Sequence, residues 1–328
     1  INNCDSLEIH YSNHCNYTQV TSVPLGNRMS SWKLSSPPYN YDMSLMDLNN
    51  RLQIDWYNPY NDILANEIWP SSSSSPFLAL FINIYSDLVI NDSTVSWVGI
   101  TQELFEMWQY QSPTYNLIVW LNTDDVKDNI MLDIQFGTFS EDINSNQKLD
   151  TEDKEVYGPG LGDMILDENE DTGLDGCFDI YEDGYGGCQD YENNGINDPN
   201  GDNWEYSDIN NYKSINNLEG NAGFLSIFNR PDTEDLNKNT FLDITNSYYS
   251  YRINLLNIDT NIIDNISYQD GNPNGWKSIK IPFVEFLEYY EHIPPNWEDI
   301  KNIRLVFNSE NSLIYENNIK IAKIEIVK

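Results

Sequence analysis

Basic residues are scarce in this chain of 328 residues. It contains 17 lysines and arginines and 3 histidines against 52 aspartates and glutamates, so its formal net charge is −35. Because so little positive charge is available to meet phosphate groups, nucleic acid is excluded as a partner. An apolar run of about eighteen residues is also missing, so the sequence predicts no membrane-spanning helix in this chain.

Signatures of common catalytic chemistry are missing as well. The sequence has no Gly-x-Ser-x-Gly motif, no phosphate-binding glycine loop and no cysteine–histidine nucleophile pattern. Its histidines, His10, His14 and His292, are scattered. Among 52 acidic residues some pair falls at a separation suited to glycoside hydrolysis by chance, so carboxylate pairs carry little information. We therefore predict that the protein is not an enzyme.

Cysteine is rare, and its four copies form two pairs with the same separation: Cys4 with Cys15, and Cys177 with Cys188. This spacing predicts two local disulfides in an oxidising, extracytoplasmic compartment. The alternative for the first pair is a zinc site completed by the two nearby histidines, although the spacing matches no standard zinc loop. The chain begins at Ile1 and shows no signal peptide, which we interpret as a mature chain or a piece of a longer protein.

Acidic residues are concentrated in segment 138–247, which holds 26 acids and 5 bases. Trp204, Tyr206, Phe224 and Phe228 lie in the same segment, whereas disordered acidic tails are poor in aromatic residues. Self-repulsion of this size opposes compaction unless bound cations neutralise it. The alternative is a solvated tail. We favour a segment that folds around cations.

A twelve-residue pattern of oxygen-bearing residues recurs in this segment. Calcium takes six to eight oxygen ligands, and a tight loop supplies them from positions 1, 3, 5, 7 (a main-chain carbonyl), 9 and 12. Three copies are in register: Asp142, Asn144, Asn146, Lys148, Asp150 and Asp153; Asp235, Asn237, Asn239, Phe241, Asp243 and Asn246; and Asp167, Asn169, Asp171, Gly173, Asp175 and Asp179. A looser fourth copy contains Asp190, Glu192, Asn194 and Asp198.

The pattern predicts a calcium-binding segment that holds roughly two to five ions. Position 6 is usually glycine but is Gln147, Thr172 and Thr240 in the three copies, which leaves the turn geometry open. Asp232 and Glu234, directly before the second copy, are candidates to reach across to another ion. Since metal binding at such sites supplies folding energy, the ions should hold the segment in shape.

Strand-like runs lie on both sides of the acidic segment. They alternate apolar and polar residues and are rich in Ile, Val, Tyr, Phe and Trp, as half-buried antiparallel strands are. The predicted strands are 50–57, 77–85, 94–101, 115–121 and 129–136 before it, and 248–256, 276–283, 301–308 and 318–327 after it. Short stretches at 102–109 and 284–291 are candidates for helices.

The two sets of strands resemble each other. The run Trp97-Val-Gly-Ile100 corresponds to Trp276-Lys-Ser-Ile279, and each is followed by two further strand-like runs. We interpret this as an internal duplication, with chance similarity of two all-β halves as the alternative. The predicted fold is all-β: two tandem jelly-roll-like β-sandwiches joined by a helix-poor segment rich in calcium loops. Its parts are 1–137 (a sandwich with an irregular N-terminal segment), 138–247 (the calcium loops) and 248–328 (the second sandwich).

Longer motifs resemble one known family in order along nearly the whole chain after about residue 30. They include WKLSSPPYNYD (32–42), GLDGCFD (173–179), EDGYGGC (182–188), GDNWEYSD (201–208), RPDTEDLNKNTFLD (230–243) and NPNGWKSIKIPF (272–283). These stretches are similar to the SprA (Sov) family, giant cell-surface proteins that form the outer-membrane translocon of the type IX secretion system.

The resemblance implies a non-enzymatic segment of a cell-surface or outer-membrane secretion complex. This chain is too short to hold the family's barrel, so it would be one soluble extracytoplasmic part, with other protein components of the complex as partners. The alternative function is a carbohydrate-binding module. In that case exposed aromatic residues, with Trp56, Tyr57, Tyr60 and Trp69 as candidates, would stack on sugar rings; the alternative, which we favour for these residues, is packing in a core or between domains.

Overall fold

The computed structural model describes residues 22–39, 43–59, 62–86, 95–104, 114–153, 174, 231–310 and 315–328. Regular structure in these ranges is almost entirely β. The strands are β1 Ser22–Pro24, β2 Lys33–Leu34, β3 Gln53–Tyr57, β4 Leu80–Tyr85, β5 Ser96–Glu103, β6 Asn116–Asp125, β7 Met131–Thr138, β8 Ser247–Asn254, β9 Ile263–Gln269, β10 Asn272–Pro282, β11 Leu287–Tyr290, β12 Asn302–Ser309 and β13 Asn317–Val327. Helix α1 spans Ala65–Ile68, and short 3₁₀ turns span Met29–Ser31, Leu48–Asn50, Phe283–Glu285 and Trp297–Asp299.

The strands form two antiparallel sheets. The first sheet has the order β3-β4-β13-β6-β10-β9, with β1 also paired to β13. The second has the order β11-β8-β7-β12-β5-β2. Because both sheets have alternating strands, each presents one apolar face, and the two apolar faces pack on each other.

A single apolar core lies between the sheets. Val119, Ile279 and Ile321 of the first sheet and Ile134 and Leu305 of the second belong to one cluster, each at most 1% exposed. Burial of such a side chain stabilises the fold by about 1.5–3 kcal/mol relative to leaving it in water. The predicted all-β sandwich is therefore confirmed.

The prediction of two tandem sandwiches is wrong. Strands from before and after segment 138–247 alternate within both sheets, since β12 pairs with both β5 and β7, and β10 pairs with β6. The predicted boundaries 1–137 and 248–328 consequently do not enclose separate sandwiches. The physical reason is strand pairing: each half leaves central strands with open edges, and the strands of the other half satisfy those hydrogen bonds.

The repeat seen in the sequence corresponds to a symmetry of the topology. The order β5-β12-β7 in the second sheet is matched by β10-β6-β13 in the first, with sequence-equivalent strands exchanged between the sheets. β5 carries the motif that starts at Trp97, and β10 carries the motif that starts at Trp276. The two halves therefore interlock around one core.

Every one of the nine runs predicted as strands contains an observed strand. Four strands were not predicted: the short strands β1 and β2, and the edge strands β9 and β11. The candidate helix at 284–291 is wrong, because a 3₁₀ turn at Phe283–Glu285 leads directly into β11. Of the other candidate helix, 102–103 belongs to β5 and 105–109 lies outside the described residues. Within the described ranges no helix is long and apolar enough to cross a membrane.

The outer face of the second sheet is also covered, by a polar and aromatic layer around Arg304. This residue is fully buried, and its guanidinium lies 4.1 Å from the ring centre of Phe139 and 4.9 Å from that of Tyr248. Arg304 Nε donates to Gln135 Oε1 at 2.6 Å. Phe139 follows β7 directly, so this layer fixes the base from which the acidic segment leaves the sheet.

Candidate functional site

Two of the predicted calcium loops, 142–153 and 235–246, lie in the described part of the chain. The first follows β7 and the second leads into β8, and these strands are paired with Thr138 opposite Ser247. Close approach of the strands at this point requires Gly137, because a Cβ there would collide with the carbonyl oxygen of Ser247. Strand pairing thus brings together two loops that are 93 positions apart in the sequence.

The two loops have the same backbone conformation. Positive φ angles occur at positions 4 and 6 of both: Ser145 (60°) and Gln147 (60°) in the first, Lys238 (59°) and Thr240 (71°) in the second. Left-handed conformations cost an ordinary residue about 1–2 kcal/mol. The missing glycine at position 6 therefore does not prevent the turn.

The aspartate at position 1 holds each turn closed. Asp142 accepts hydrogen bonds from the amides of Asn146 (3.0 Å) and Gln147 (3.0 Å), one on each carboxylate oxygen. Asp235 accepts the equivalent bonds from Asn239 (3.1 Å) and Thr240 (2.7 Å). Both aspartates are buried.

Positions 3, 5 and 9 converge in each loop. Oδ2 of Asp150 accepts from the side-chain amides of Asn144 and Asn146, both at 2.7 Å. Oδ2 of Asp243 accepts in the same way from the side-chain amides of Asn237 (2.6 Å) and Asn239 (2.9 Å). The side chains that the sequence nominated as ligands are therefore next to one another in both loops.

Each loop is capped by a glutamate from the other loop. Glu234 accepts from the amides of Ile143 (2.7 Å) and Asp150 (2.9 Å), which are positions 2 and 9 of the first loop. Its own amide donates to the carbonyl oxygen of Asp150 at 3.0 Å. The sequence analysis placed Glu234 as a reach-across ligand to an ion, and it does reach across, but its carboxylate binds the main chain of the other loop.

Glu141 makes the reciprocal contacts with the second loop. It accepts from the amides of Leu236 (2.9 Å) and Asp243 (3.0 Å), again positions 2 and 9, and its own amide donates to the carbonyl oxygen of Asp243 at 2.7 Å. Sequence analysis missed Glu141. The signal was present, since an acidic residue directly precedes position 1 in both loops, as Glu141-Asp142 and Glu234-Asp235.

A third buried glutamate extends the contact between the two loops. Glu152 is fully buried, accepts from the amide of Asp232 at 2.6 Å and donates its own amide to the carbonyl oxygen of Asp232 at 2.9 Å. Asp232 was a candidate for reaching across to an ion, and its main chain forms this bridge. Thr151 and Thr233 form an antiparallel bridge beside it. The loop pair is therefore one packed unit.

Packing of the loops concentrates negative charge in a buried place. The pKa of Glu234 is raised to about 7, mainly by burial; hydrogen bonds from the main chain oppose the rise, and the neighbouring carboxylates of Asp150 and Asp142 contribute to it. Burial likewise raises the pKa of Glu141. Removal of these carboxylates from water is the main cause of both shifts, and the neighbouring carboxylates add to it.

Position 12 differs between the loops. Asn246 is buried, and its Oδ1 already accepts from the amide of Ser140 at 3.1 Å, so it helps to join the loops. Asp153 is half-buried at the equivalent place in the first loop. The second loop consequently has a weaker candidate than the first at this position.

Two cations attach the loop pair to the sandwich. Lys33 Nζ, on β2, donates to the carbonyl oxygen of Thr233 at 2.9 Å, and burial lowers the pKa of this lysine against the opposing charges of Asp232 and Asp235. Arg51 donates to the carbonyl oxygen of Ile143 and lies 5.1 Å from the ring centre of Trp97. The orientation of the loops relative to the second sheet is thereby fixed.

The other nominated ligands, Asp167, Asn169, Asp171, Gly173, Asp175, Asp179, Asp190, Glu192, Asn194 and Asp198, lie outside the described residues, as do Cys4, Cys15, Cys177 and Cys188. Among the residues that are described, no group of three His, Cys, Asp or Glu side chains is placed to hold a metal ion. In each described loop, positions 1 and 9 are aspartates and positions 3 and 5 are asparagines; the first loop also has Asp153 at position 12. The donors of both loops are all oxygen, the element that calcium prefers.

A cleft of about 330 Å³ lies at the open side of the sandwich, and none of its lining residues belongs to the two loops. It is lined by Tyr251 of β8, by the 259–262 turn, by residues of β9 and β10 and by Glu285. The amide of Lys280 donates to the carbonyl oxygen of Ile262 at 2.8 Å, which ties the turn to β10. The cleft therefore joins the margins of both sheets.

The aromatic residues nominated for sugar stacking have different surroundings. Trp56 and Tyr57 are buried, so their rings are not available to a ligand, and Tyr60 lies outside the described residues. Trp69 is half-buried and packs edge-on against Phe77 (5.0 Å between ring centres) and Trp120 (5.8 Å). Trp56 and Tyr57 are therefore part of the apolar core.

Comparison with known proteins gives no family. No family model and no curated protein matches the chain. Two similar solved structures are a family 11 carbohydrate-binding module from Clostridium thermocellum in complex with a β-1,3-1,4-mixed-linked tetrasaccharide, and the family 11 carbohydrate-binding module of the cellulosomal cellulase Lic26A-Cel5E of the same organism. Each is 9% identical with a TM-score of 0.36; the alignments cover 94% of this chain and 97% and 96% of those chains. Likeness at this level carries no argument about function.

Proposed function

We propose that this chain is a non-catalytic β-sandwich module whose acidic segment is held in shape by calcium, and that it serves as a structural or interaction part of an extracytoplasmic complex. The observation that carries the proposal is the pair of loops at 142–153 and 235–246. Both combine ligand-type residues at the calcium-loop positions with the same backbone turn.

The residues that would hold the ions are those at positions 1, 3, 5 and 9 of each loop, together with the carbonyl oxygens of Lys148 and Phe241. Bound calcium would add positive charge to that which Lys33 and Arg51 already bring to the packed carboxylates. Since an ion that binds only the folded state stabilises it, one site at a calcium concentration a hundred times its Kd contributes about 2.7 kcal/mol. In this role calcium stabilises the folded state of the protein.

The compartment and the complex in which the module would work are proposed from features of the sequence. The four paired cysteines support an oxidising compartment, where calcium is also plentiful. The resemblance to the SprA (Sov) family supports a place at the cell surface or outer membrane within a type IX secretion complex, with other protein components as partners. A stiff acidic unit fixed to one sheet suits a spacer or docking part in such a complex.

Thermal unfolding with and without calcium tests the proposal. We expect chelation with EDTA to lower the melting temperature by roughly 5–10 °C for each site lost, because about 2.7 kcal/mol corresponds to such a shift in a domain of 150–250 residues. Asp142→Ala and Asp235→Ala should each remove part of the calcium response. Glu288→Ala, an exposed carboxylate on β11, is the matched control. A melting curve indifferent to EDTA would sink the proposal.

Carbohydrate binding is the second candidate function. The feature that favours it is the cleft beside Tyr251, where apolar and polar groups are combined in a space at the lower end of the range for ligand pockets. Binding of simple sugars to the calcium-loaded protein, measured by NMR titration, tests this function. An absence of spectral change with every sugar would dispose of it.

A further inference from the structure

The cleft at the open side of the sandwich has the composition of a small amphipathic binding site. Its apolar lining consists of Ile262, Ile263, Pro282 and the half-buried ring of Tyr251. The polar groups of its lining are Asp259, Asn261, Asp264, Lys280 and Glu285. We propose that this cleft binds one neutral pyranose residue of a glycan, an inference that rests on the second candidate function and is independent of calcium binding.

Charge decides against anionic ligands. Three carboxylates and one ammonium group line the cleft, in a chain whose net charge is −35. A phosphate, a nucleotide or an acidic sugar would meet repulsion from Asp259, Asp264 and Glu285 and attraction from Lys280 alone. The ligand should therefore carry no negative charge.

The spread of the carboxylates decides against a metal ion. Within the described part of the chain, no three acidic, His or Cys side chains are close enough to ligate one ion, and this includes the three carboxylates of the cleft. Carboxylates that line one cleft can accept hydrogen bonds from the hydroxyl groups of a sugar, each of which donates one.

Size and shape fit one sugar residue. About 330 Å³ lies near the lower limit of ligand pockets, which begin at about 300 Å³. A pyranose has an apolar face, which would lie on the ring of Tyr251, and an edge of hydroxyls, which would reach the polar rim. Burial, and then the charges of Glu285 and Asp259, raise the pKa of Tyr251, so its hydroxyl remains a donor at neutral pH.

The polar rim is partly preorganised. Asp259 accepts from the amide of Asn261 at 2.9 Å, and its own carbonyl oxygen accepts from the amide of Ile262 at 3.2 Å, so the turn that carries it is fixed. Asp264 is oriented by the side-chain amide of Asn265 at 2.7 Å. Fixed acceptors lose little freedom on binding, which favours a ligand that is itself rigid.

Methyl NMR of the calcium-loaded protein labelled at isoleucine tests the site. The probes are methyl β-D-glucopyranoside, methyl β-D-galactopyranoside and methyl α-D-mannopyranoside, with spermidine and sodium phosphate as charged controls. We expect at least one glycoside to shift the Ile262 and Ile263 signals with a Kd on the order of 1 mM, as expected for about a dozen non-hydrogen atoms. Neither spermidine nor phosphate should shift them.

Variants assign the binding to the cleft. Glu285→Gln and Asp264→Asn should each weaken binding about threefold to tenfold, because each alters a charged acceptor. Tyr251→Phe keeps the ring and should bind with a smaller loss, whereas Tyr251→Leu should abolish binding. Glu288→Gln, three residues beyond Glu285 but outside the cleft lining, should bind like the parent. Retained methyl dispersion in the spectra shows that each variant is folded.

Other results of these titrations would contradict the proposal, each in a different way. Shifts at Ile262 and Ile263 with spermidine but not with sugars would overturn the inference in favour of a cationic ligand. Sugar-induced shifts confined to other isoleucines, such as Ile68 beside Trp69, would overturn the site while carbohydrate binding stands. No shift with any glycoside would overturn both. If Glu288→Gln weakened sugar binding as much as Glu285→Gln does, the binding would not be assigned to the cleft.

Discussion

At the scale of single residues, the buried charges have the largest consequences. Arg304 has no exposed surface, and its guanidinium is held by two aromatic rings and by Gln135. Burial lowers its pKa to about 10, so it stays charged at neutral pH. Nearby, Asp133 receives two bonds of 2.6 Å from Arg252 and one of 2.9 Å from Asn308. Such groups are costly to bury and more costly to separate from their partners.

Removal of Arg304 should therefore destabilise the protein strongly. We expect Arg304→Ala to lower the free energy of unfolding by on the order of 3 kcal/mol, because it leaves a cavity and deprives Gln135 and the two rings of their partner. Arg28→Ala, an exposed arginine, is the control and should change stability by less than about 0.5 kcal/mol. Urea unfolding in the presence of calcium measures both, and equal midpoints would contradict this assessment.

At the scale of elements, the exchange of glutamates makes the two loops one unit. Glu234 caps positions 2 and 9 of the first loop, and Glu141 caps the same positions of the second. The amides at positions 2 and 9 of each loop therefore have their acceptor on the glutamate that directly precedes the other loop, so the two loops stabilise each other. The unit owes its existence to the pairing of β7 with β8, which brings the two loops together.

Glu234→Gln tests this exchange directly. We expect the amides of Ile143 and Asp150, which lie in the other loop, to exchange with solvent about tenfold to a hundredfold faster, because bonds to a charged acceptor contribute about 1.5–3 kcal/mol. Glu103→Gln, an exposed carboxylate at the end of β5, should leave both amides unchanged. Acceleration confined to the variant's own loop would show that the exchange is not a stabilising contact. Hydrogen exchange followed by NMR gives the readout for each amide.

At the scale of the whole molecule, the interlocking of the two halves governs folding. β12 lies between β7 and β5, and β13 lies between β4 and β6, so strands of the second half occupy central places in sheets begun by the first. Contacts between such distant parts of the chain close long loops, which slows folding. Neither half has a complete core without the other.

Fragments test this arrangement. Residues 1–137 and 248–328 expressed separately should each lack cooperative unfolding and native near-ultraviolet dichroism, because each leaves central strands unpaired. A matched circular permutant that retains all strands should keep both properties. Cooperative unfolding of the isolated 248–328 fragment would instead restore the tandem arrangement.

Burial explains which strands could be recognised in the sequence. Runs such as 77–85 and 301–308 carry the alternation of an apolar inner face, and strands were found there as β4 and β12. β9 was missed because six of its seven residues lie at least partly in solvent, with Ser267 as its buried position. β11 was missed for the same reason, since Leu287–Tyr290 at a sheet edge shows no buried face.

Some features of the candidate site could be predicted from the sequence and others could not. The ligand spacing and the position of each turn could be read from residues 142–153 and 235–246, because a calcium loop is a local pattern. The caps by Glu141 and Glu234 could not be predicted from the sequence, since a carboxylate that binds the main chain of a distant loop follows no local rule. The burial of Trp56 and Tyr57 could not be established from the sequence either, because the sequence around them is compatible with a core and with an exposed aromatic surface.

The sequence by itself determined the strand composition, the internal repeat and the spacing of the acidic loops, because periodicity and ligand spacing depend on neighbours a few positions apart. Only the tertiary structure decided that the repeat forms one interlocked sandwich, that two loops cap each other and that a cleft opens between sheet margins. These depend on which strands pair across long distances, and many pairings satisfy the same alternation. The choice among them is made by the core that both halves fill together.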